Sequence, residues 1–190
     1  GNSVDHVFTI VVSDTEAPVF VEELPGNATV ACDMVPDAAV LTATDNCDAA
    51  VEVIFTEENL GGSCANTYTL LRTWMVTDCS GHETSHAQTI EVQDTVAPII
   101  TASPEVEVAC GEYDPTEVYE ATFADNCDAD LMVAIQDEAV SGGCLNINQS
   151  WFIRTYTVTD ACGNASTYEQ QVHLTDNIAP EVFVESCPMD

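Results

Sequence analysis

Apolar and polar residues alternate with a period of two along most of this chain. The longest alternating run covers residues 68–77, and shorter runs cover residues 28–32 and 51–55. The same pattern returns in residues 106–110 and 131–135. A period of two is typical of β-strands, and no stretch of the sequence has the 3.6-residue apolar spacing of an amphipathic helix. The pattern therefore predicts an all-β fold.

The alternating segments belong to an internal repeat. The motif Asp-x-x-Ala-Pro begins at Asp14, Asp94 and Asp176, so its copies are 80 and 82 residues apart. Between the motifs, the matched segments are 45–48 with 125–128, 61–64 with 142–144, 71–74 with 153–156, and 77–79 with 159–162. Self-similarity at a fixed period is the mark of a tandem array. It predicts two full repeats, residues 14–93 and 94–175.

Short alternating strands in units of about 80 residues are typical of immunoglobulin-like β-sandwiches. The Ala-Pro pair at each junction favours an extended, stiff connection, because proline restricts both its own backbone and that of the preceding residue. The sequence therefore predicts tandem immunoglobulin-like β-sandwiches in an extended head-to-tail array.

The two flanks of the repeats have no complete unit of their own. Residues 1–13 match the last strand of each repeat, and residues 176–190 match the start of a repeat. One interpretation is that the chain is an excerpt of a longer array. The other is that residues 1–13 are a donor strand that completes a neighbouring subunit, which would build a filament.

Nine cysteines at recurring spacings predict disulfides, and hence a location outside the cytoplasm. Each repeat carries four, which allows three connectivities. In a sandwich, the loop with Asp-Asn-Cys and the loop with the later Asp-x-Cys or Asp-Cys share one end. That placement predicts the pairs Cys47–Cys79, Cys127–Cys162, Cys32–Cys64 and Cys110–Cys144. Cys187 then has no predicted partner within the chain.

The charge of the chain is strongly one-sided. It has 33 acidic residues against two Lys plus Arg, for a formal net charge of −31. Such a surface repels nucleic acid and anionic membranes, and no apolar run is long enough to predict membrane insertion. Because 46% of the residues are apolar, the chain can still form a core. The acidity has two interpretations, a solubility surface for salty water or a surface that recruits divalent cations.

The two basic side chains, Arg72 and Arg154, occupy the same position in the two repeats. Strand parity places them on the same face as Trp74 and Tyr156, which predicts structural, buried arginines with carboxylate or carbonyl partners. Ligand binding is the alternative.

Aspartates cluster in the loops at the predicted stapled end of each repeat. Loop carboxylates are ligands that calcium uses, although aspartate is also an ordinary turn former. The candidate calcium ligands are Asp45, Asp48, Asp78, Asp125, Asp128 and Asp160, and the junction residues Asp14 and Asp94 are an alternative position. Three asparagines, Asn27, Asn148 and Asn164, fit the pattern for N-glycosylation. No residues have the arrangement of a catalytic nucleophile and base, so the sequence predicts no enzyme.

The combination of Asp-Asn-Cys-Asp, Arg-Thr-Trp/Tyr, Thr-Asp-x-Cys-Gly and Asp-Thr-x-Ala-Pro resembles the hyalin-repeat-like (HYR-like) immunoglobulin-like modules of large bacterial cell-surface adhesins and extracellular filaments. The resemblance implies extracellular, non-enzymatic modules that form stalks. Typical hyalin repeats place a cysteine pair near the first and last strands, whereas the last strands here lack cysteine.

Together these patterns predict a structural repeat module of a secreted adhesin or extracellular filament, a disulfide-stapled stalk. Its partners would be neighbouring repeats or identical subunits. One alternative is a calcium-assisted adhesion module that binds surface glycans or proteins. Another is a pair of accessory domains of a secreted enzyme.

Overall fold

The computed structural model describes Val4, residues 6–141 and residues 150–176. Within these residues the chain is all-β, as predicted, and its helical content is one 3-10 turn at Cys110–Glu112. The extended head-to-tail array stays a prediction. The chain divides between Asp94 and Thr95 into two compact units.

The described residues of unit 1 form six strands in two sheets. The strands are β1 (Val19–Phe20), β2 (Ala28–Ala31), β3 (Ala43–Thr44), β4 (Val53–Asn59), β5 (Tyr68–Thr77) and β6 (Glu83–Gln93). One sheet has the order β2-β6-β5-β4, and the other consists of β1 and β3. All neighbours are antiparallel except β2 and β6, which run parallel.

Unit 2 repeats this topology. Its strands are β7 (Ile99–Ala102), β8 (Glu105–Ala109), β9 (Ala121–Ala124), β10 (Met132–Ser141), β11 (Ser150–Thr159) and β12 (Ala165–Thr175). One sheet has the order β8-β12-β11-β10, and the other consists of β7 and β9. Again the first and last strands of the larger sheet, β8 and β12, are the parallel pair.

The alternation in β5 explains how the larger sheet acquires its two faces. Leu70, Trp74 and Val76 are buried, whereas Met75 and Thr77, on either side of Val76, are exposed. Successive side chains of a strand point to opposite faces, so one face carries the apolar residues and the other faces solvent. Burying a large aromatic side chain such as Trp74 stabilises the unit by roughly 2–3 kcal/mol.

Each unit has an apolar cluster at the ends of β5 and β6, or of β11 and β12. In unit 1 the buried members are Leu70, Ile90 and Val92, with Cys32 packed against them. In unit 2 they are Val106, Val108, Phe152 and Val172. Both clusters lie where the parallel strand joins the sheet, so they attach the early part of each unit to its last strand.

The described residues before β1 form no strand. The apolar side chains among residues 7–12 are exposed, with exposed fractions of 79% for Phe8 and 83% for Val11. The predicted start of a third repeat, at 176–190, lies outside the described residues beyond Asp176. The domain boundaries at residues 14–93 and 94–175 stay predictions.

Candidate functional site

Four of the aspartates that lie in the loops of unit 1, or in the segment before β1, are candidates for one site. We call Asp14, Asp45, Asp48 and Asp78 the acidic loop cluster. Asp45 and Asp48 follow β3, Asp78 follows β5, and Asp14 precedes β1. The sequence predicted that the two loops would converge, and hydrogen bonds between them show how they do.

Asp45 and Asp48 hold their own loop and attach it to the next one. Oδ1 of Asp45 accepts hydrogen bonds from the backbone N–H groups of Cys47 and Asp48, both at 2.9 Å. Oδ2 of Asp48 accepts a hydrogen bond of 2.7 Å from the N–H of Cys79. This bond joins the loop after β3 to the loop after β5. Asp48 therefore acts as a structural link between the loops.

Asp78 organises the turn that leads into β6. Its Oδ1 accepts hydrogen bonds from the N–H groups of Ser80 and His82, and its Oδ2 lies 2.8 Å from Nδ1 of His82. Gly81 has a φ of 91°, the left-handed conformation that glycine adopts without strain. Although burial opposes ionisation of Asp78, its hydrogen bonds with His82 and Ser80 outweigh burial and lower the pKa of the carboxyl. Asp78 is therefore held as a carboxylate.

Asp14 brings the segment before β1 into the same cluster. Its Oδ1 accepts a hydrogen bond of 3.2 Å from the N–H of Glu16. One ligand atom each from Asp14, Asp78 and His82 lies within 4.8 Å of the other two. Oδ2 of Asp14 and Oδ2 of Asp45 are buried and have no hydrogen-bond partner. The cluster therefore combines close negative charges with oxygen atoms that nothing in the protein satisfies.

Unit 2 repeats the loop geometry with different sequence details. Oδ1 of Asp125 accepts hydrogen bonds from the N–H groups of Cys127 and Asp128. Oδ2 of Asp128 accepts a bond of 2.6 Å from the N–H of Ala161. Asp160 is 4% exposed and has the role of Asp78, with bonds to Cys162, Gly163 and Asn164 that lower its pKa although burial opposes ionisation. The equivalent loops of the two repeats thus use equivalent carboxylates.

Five of the described cysteines are disulfide-bonded: Cys32, Cys64, Cys110, Cys127 and Cys162. The surroundings of Cys32 and Cys64 suit their predicted pairing. The N–H of Cys32 donates a hydrogen bond to the carbonyl of Gln93. Cys64 pairs with Thr67 in a short antiparallel β-bridge of the backbone, and the hydroxyl of Thr67 accepts a hydrogen bond from the N–H of Asp94. Both cysteines therefore lie beside the end of β6. Cys144, the predicted partner of Cys110, and Cys187 lie outside the described residues.

The predicted Cys47–Cys79 disulfide is not formed in the structure, where both residues are exposed free thiols. The two thiols lie beside different carboxylates, Cys47 beside Asp14 and Cys79 beside Asp48. Burial, then Asp14, raises the pKa of Cys47, and the hydrogen bond and charge of Asp48 raise the pKa of Cys79. Because the thiolate is the species that reacts, these carboxylates slow formation of the bond at neutral pH.

The structure places Arg154 in the interior of unit 2 with no exposed surface. It donates to the carboxylate of Asp137 and to the carbonyls of Glu117 and Asp114. Its guanidinium carbon also lies 4.5 Å from the ring centroid of Tyr119. The pKa of Arg154 is raised, because the bonds to Asp137 outweigh burial, which opposes its charge.

Arg72 makes similar hydrogen bonds in unit 1, but with fewer partners. It is 4% exposed and donates to Glu57 at 2.7 Å and to the carbonyl of Pro36 at 2.8 Å. The side chain of Glu57 is 39% exposed, whereas that of Asp137 is 18% exposed. Both arginines bind structural partners within their own unit.

Two of the predicted glycosylation sites lie in the described residues, and they differ. Asn27 is exposed at the start of β2, and its Oδ1 accepts a hydrogen bond from the N–H of Thr89. In contrast, Nδ2 of Asn164 donates to the buried Asp160 at 2.8 Å. Asn148 lies outside the described residues.

His82 was not singled out by the sequence analysis, yet it contacts Asp78 and lies in the same close group as Asp14. The signal that could have found it is its position four residues after Asp78, across a turn that contains glycine. In the second repeat the equivalent position holds Asn164, which makes the same type of bond. The carboxylate is therefore what the repeats share, and its side-chain donor varies.

A comparison with protein families matches residues 20–92 to the family described as an HYR-like domain with 4 cysteines. The matched segment contains all four cysteines of the first repeat, namely Cys32, Cys47, Cys64 and Cys79. This match supports the resemblance to the HYR-like family. No curated protein matches the sequence.

Solved structures with similarity to the chain include cadherin ectodomains. Drosophila N-cadherin EC1-4 is 13% identical with a TM-score of 0.35, over 85% of this chain and 50% of that one. Drosophila N-cadherin EC1-3 is 15% identical with a TM-score of 0.35, over 85% and 68%. Human mucin-like protocadherin EC1-2 is 11% identical with a TM-score of 0.31, over 81% and 97%. At TM-scores below 0.5 these similarities support no functional argument. No helix in the described part of the chain is long and apolar enough to cross a membrane.

Proposed function

We propose that this chain is a structural repeat module of a secreted cell-surface adhesin or extracellular filament, in which tandem immunoglobulin-like sandwiches form a stalk. The observation that carries the proposal is the repeated topology: each unit has the same order of four strands in its larger sheet and the same two-stranded second sheet. Repetition of one structural unit is a common way to build a protein that spans a long distance. The HYR-like match over residues 20–92 supports the same class of module.

The disulfide-bonded cysteines support an extracellular setting for this module. Cys32 and Cys64 in unit 1, and Cys110, Cys127 and Cys162 in unit 2, are all oxidised. Disulfides persist outside the reducing cytoplasm, and they are most useful to small sandwiches with limited cores. We infer that the stalk needs no catalytic residues, and that its partners are neighbouring repeats or identical subunits.

Electron microscopy of the native assembly tests the proposal. A stalk predicts long strings of units about the size of one repeat, attached to cells or shed from them. The strings should survive washing without reducing agent and weaken after reduction. Isolated compact particles on cells, or the same chain found joined to a catalytic domain whose activity it alters, would contradict the stalk and favour an accessory role.

A second candidate function is a calcium-assisted adhesion module that binds surface glycans or proteins. The observation that favours it is the acidic loop cluster, in which buried oxygens of Asp14 and Asp45 have no partner. Binding of the full chain to cell-surface extracts, with and without EGTA, tests this candidate. Chelator-sensitive retention of a glycan or protein would support it, and a chain that retains nothing under either condition would contradict it.

A further inference from the structure

We propose that Asn27 carries an N-linked glycan, and that this glycan covers the open edge of β2 in unit 1. Residues 27–29 have the Asn-x-Thr pattern of an acceptor site. The inference goes beyond the stalk, but it rests on the proposed secretion of the chain, because this modification belongs to secreted proteins.

The first argument is the orientation of the Asn27 amide. Its Oδ1 accepts a hydrogen bond of 2.8 Å from the backbone N–H of Thr89. A backbone N–H can only donate, so this bond identifies the oxygen of the amide, and Nδ2 points away from it. Asn27 is exposed, and no hydrogen bond within the described part of the chain uses its Nδ2. The nitrogen that accepts the sugar is therefore accessible. The bond that orients the amide survives the modification, because it uses the oxygen alone.

The second argument is the space beside this amide. A shallow cavity of about 210 Å³ is lined by Asn27, Ala28, Thr29, Thr89 and Glu91, so four of its five lining residues are polar. The hydroxyl of Thr29 lies 3.4 Å from Oε2 of Glu91. Hydroxyl, amide and carboxylate groups suit a sugar, whose hydroxyls both donate and accept hydrogen bonds. The first sugar ring therefore has a polar surface next to its attachment point.

Unit 2 contains an acceptor pattern in which the amide has the opposite orientation. Nδ2 of Asn164 donates a hydrogen bond of 2.8 Å to Oδ2 of Asp160, which is 4% exposed. A sugar on Asn164 would be attached to the nitrogen that faces this buried carboxylate. It would disturb the turn in which the N–H groups of Cys162 and Asn164 also bond to Asp160. The two positions share the sequence pattern, and the geometry favours Asn27.

The third argument concerns the edge of the larger sheet. β2 is an outer strand of this sheet in unit 1, as β8 is in unit 2. An outer strand has unpaired N–H and C=O groups that can pair with another chain, and natural sheets often protect such strands with charged side chains. β8 has this protection, because the exposed Glu105 and Glu107 lie on its solvent side.

The strand registers show what takes the place of these glutamates in unit 1. Ala28 lies opposite Ile90 in one unit, and Val106 lies opposite Val172 in the other. Ile90 and Val172 are equivalent residues of the two repeats, so the residues that flank Ala28 correspond to the two glutamates that flank Val106. The flanking residues of Ala28 are the asparagine and the threonine of the acceptor pattern. A bulky, solubilising glycan at this position protects the edge that carries no charge there.

The modification itself is a transfer of a preformed oligosaccharide. A bond forms between Nδ2 of Asn27 and C1 of the first sugar, while the bond between C1 and the pyrophosphate of a lipid-linked donor breaks. The lipid pyrophosphate leaves with the electron pair of that bond, and one amide proton passes to a base of the transferase. Oδ1 takes no part, so its bond with Thr89 is kept.

The test maps glycans on the full chain, both isolated from its source and produced in a secretory host that has an oligosaccharyltransferase. Enzymatic release of N-glycans in heavy-oxygen water converts each modified asparagine into a labelled aspartate, which mass spectrometry locates. Digestion is made at acidic residues, because the chain has only two Lys plus Arg. The variants are Asn27→Gln, Thr29→Ala and Thr29→Ser. The control is Asn59→Gln, at an exposed asparagine outside any acceptor pattern.

We expect the label at Asn27 and no label at Asn164. Asn27→Gln and Thr29→Ala should each lose the mass of one glycan, whereas Thr29→Ser and the control should keep it. A secreted chain from the source without a label at Asn27 would overturn the proposal, as would a label at Asn164 in its place. Either result would leave the secreted stalk standing. Retention of the chain in the cytoplasm of its source would contradict the proposed function itself.

Self-association tests whether the glycan covers the edge. Sedimentation of the folded chain at physiological ionic strength compares the glycosylated wild type with two variants. Asn27→Gln should shift toward oligomers, because the edge of β2 is uncovered. Asn27→Glu, which copies the charge of Glu105, should stay monomeric like the wild type. Equal association of all three proteins would overturn the protective role of the glycan.

Discussion

Arg154 and Asp137 form a bidentate ion pair, in which Nε and Nη2 of the arginine each lie 2.8 Å from a different oxygen of the carboxylate. The arginine has no exposed surface, so its charge depends on this partner. Removing one member of a buried pair leaves the other charged and unpaired, which is the costly case.

We therefore expect Asp137→Ala to destabilise unit 2 by about 3 kcal/mol. The substitution also removes the acceptor of the Tyr113 hydroxyl. Chemical denaturation of the full chain measures the effect. Asp130→Ala, an exposed aspartate of the same unit, is the control and should change stability by less than about 0.5 kcal/mol.

The equivalent pair in unit 1 should be weaker. We expect Glu57→Ala to cost about 1 kcal/mol or less, since Glu57 is more than a third exposed and water replaces it beside Arg72. The same denaturation experiment compares the two variants. If Glu57→Ala lowered the free energy of unfolding more than Asp137→Ala does, the contribution of each ion pair would not depend on the burial of its carboxylate.

Cys79 lies close enough to Cys47 for its charge to contribute to the raised pKa of the Cys47 thiol. The equivalent cysteines of unit 2, Cys127 and Cys162, are both disulfide-bonded. We expect a mild oxidant to close a Cys47–Cys79 bond and stabilise unit 1, by roughly 3–4 kcal/mol in the chain-entropy model. Peptide mapping after alkylation would find both residues labelled before oxidation and neither afterwards. Persistent labelling, or a mixed disulfide with another cysteine, would refute this pairing.

Oxidation should be slow at neutral pH and faster in mild alkali. Burial and then Asp14 raise the pKa of the Cys47 thiol, and Asp48 raises that of Cys79. The thiolate fraction therefore rises only when the pH is increased further than for an ordinary cysteine. The substitution Asp48→Asn should accelerate the reaction at a fixed pH, because Asp48 is the main cause of the raised pKa of Cys79. An unchanged rate in this variant would contradict that cause.

The hydrogen bonds of Asp114 predict that the stability of unit 2 decreases in acid. Hydrogen bonds from the N–H and hydroxyl of Thr116 lower its pKa, partly opposed by burial, and the charge of Arg154 lowers it further. Since the folded pKa lies below the unfolded value of about 3.9, the stabilisation is present above about pH 4 and is lost as the pH falls through the folded pKa. Asp114→Asn should therefore be less stable than the wild type at pH 6 and converge with it near pH 2. Urea unfolding across this range checks it, with the exposed Glu112→Gln as control. A constant difference at every pH would count against the mechanism.

Strand parity and the repeat were sufficient to predict the all-β fold and the inward face of β5, where Trp74 and Arg72 are buried. Alternation reports burial directly, because a strand has only two faces. The partners of Arg72, by contrast, were beyond the pattern. Glu57 and the carbonyl of Pro36 come from separate segments, and only the folded register brings them together.

Loop chemistry was harder to predict than strand chemistry. The sequence showed that Asp45, Asp48 and Asp78 share one end of a repeat, but not that Asp48 would be used by the N–H of Cys79 while Asp14 would supply a buried oxygen. An aspartate in a turn has several nearby donors of similar energy, so its partner depends on backbone angles that composition does not set. The thiols of Cys47 and Cys79 depend on the same local geometry.

The parallel pairing of the first and last strands in each larger sheet has a mechanical consequence. Ala28 lies opposite Ile90, and Ala31 lies opposite Gln93, so the chain enters β2 at one end of the ladder and leaves β6 at the other. Tension drawn along these two strands would slide them past each other in shear, and the ladder's hydrogen bonds would have to break together instead of opening one after another. The arrangement in β8 and β12 is the same.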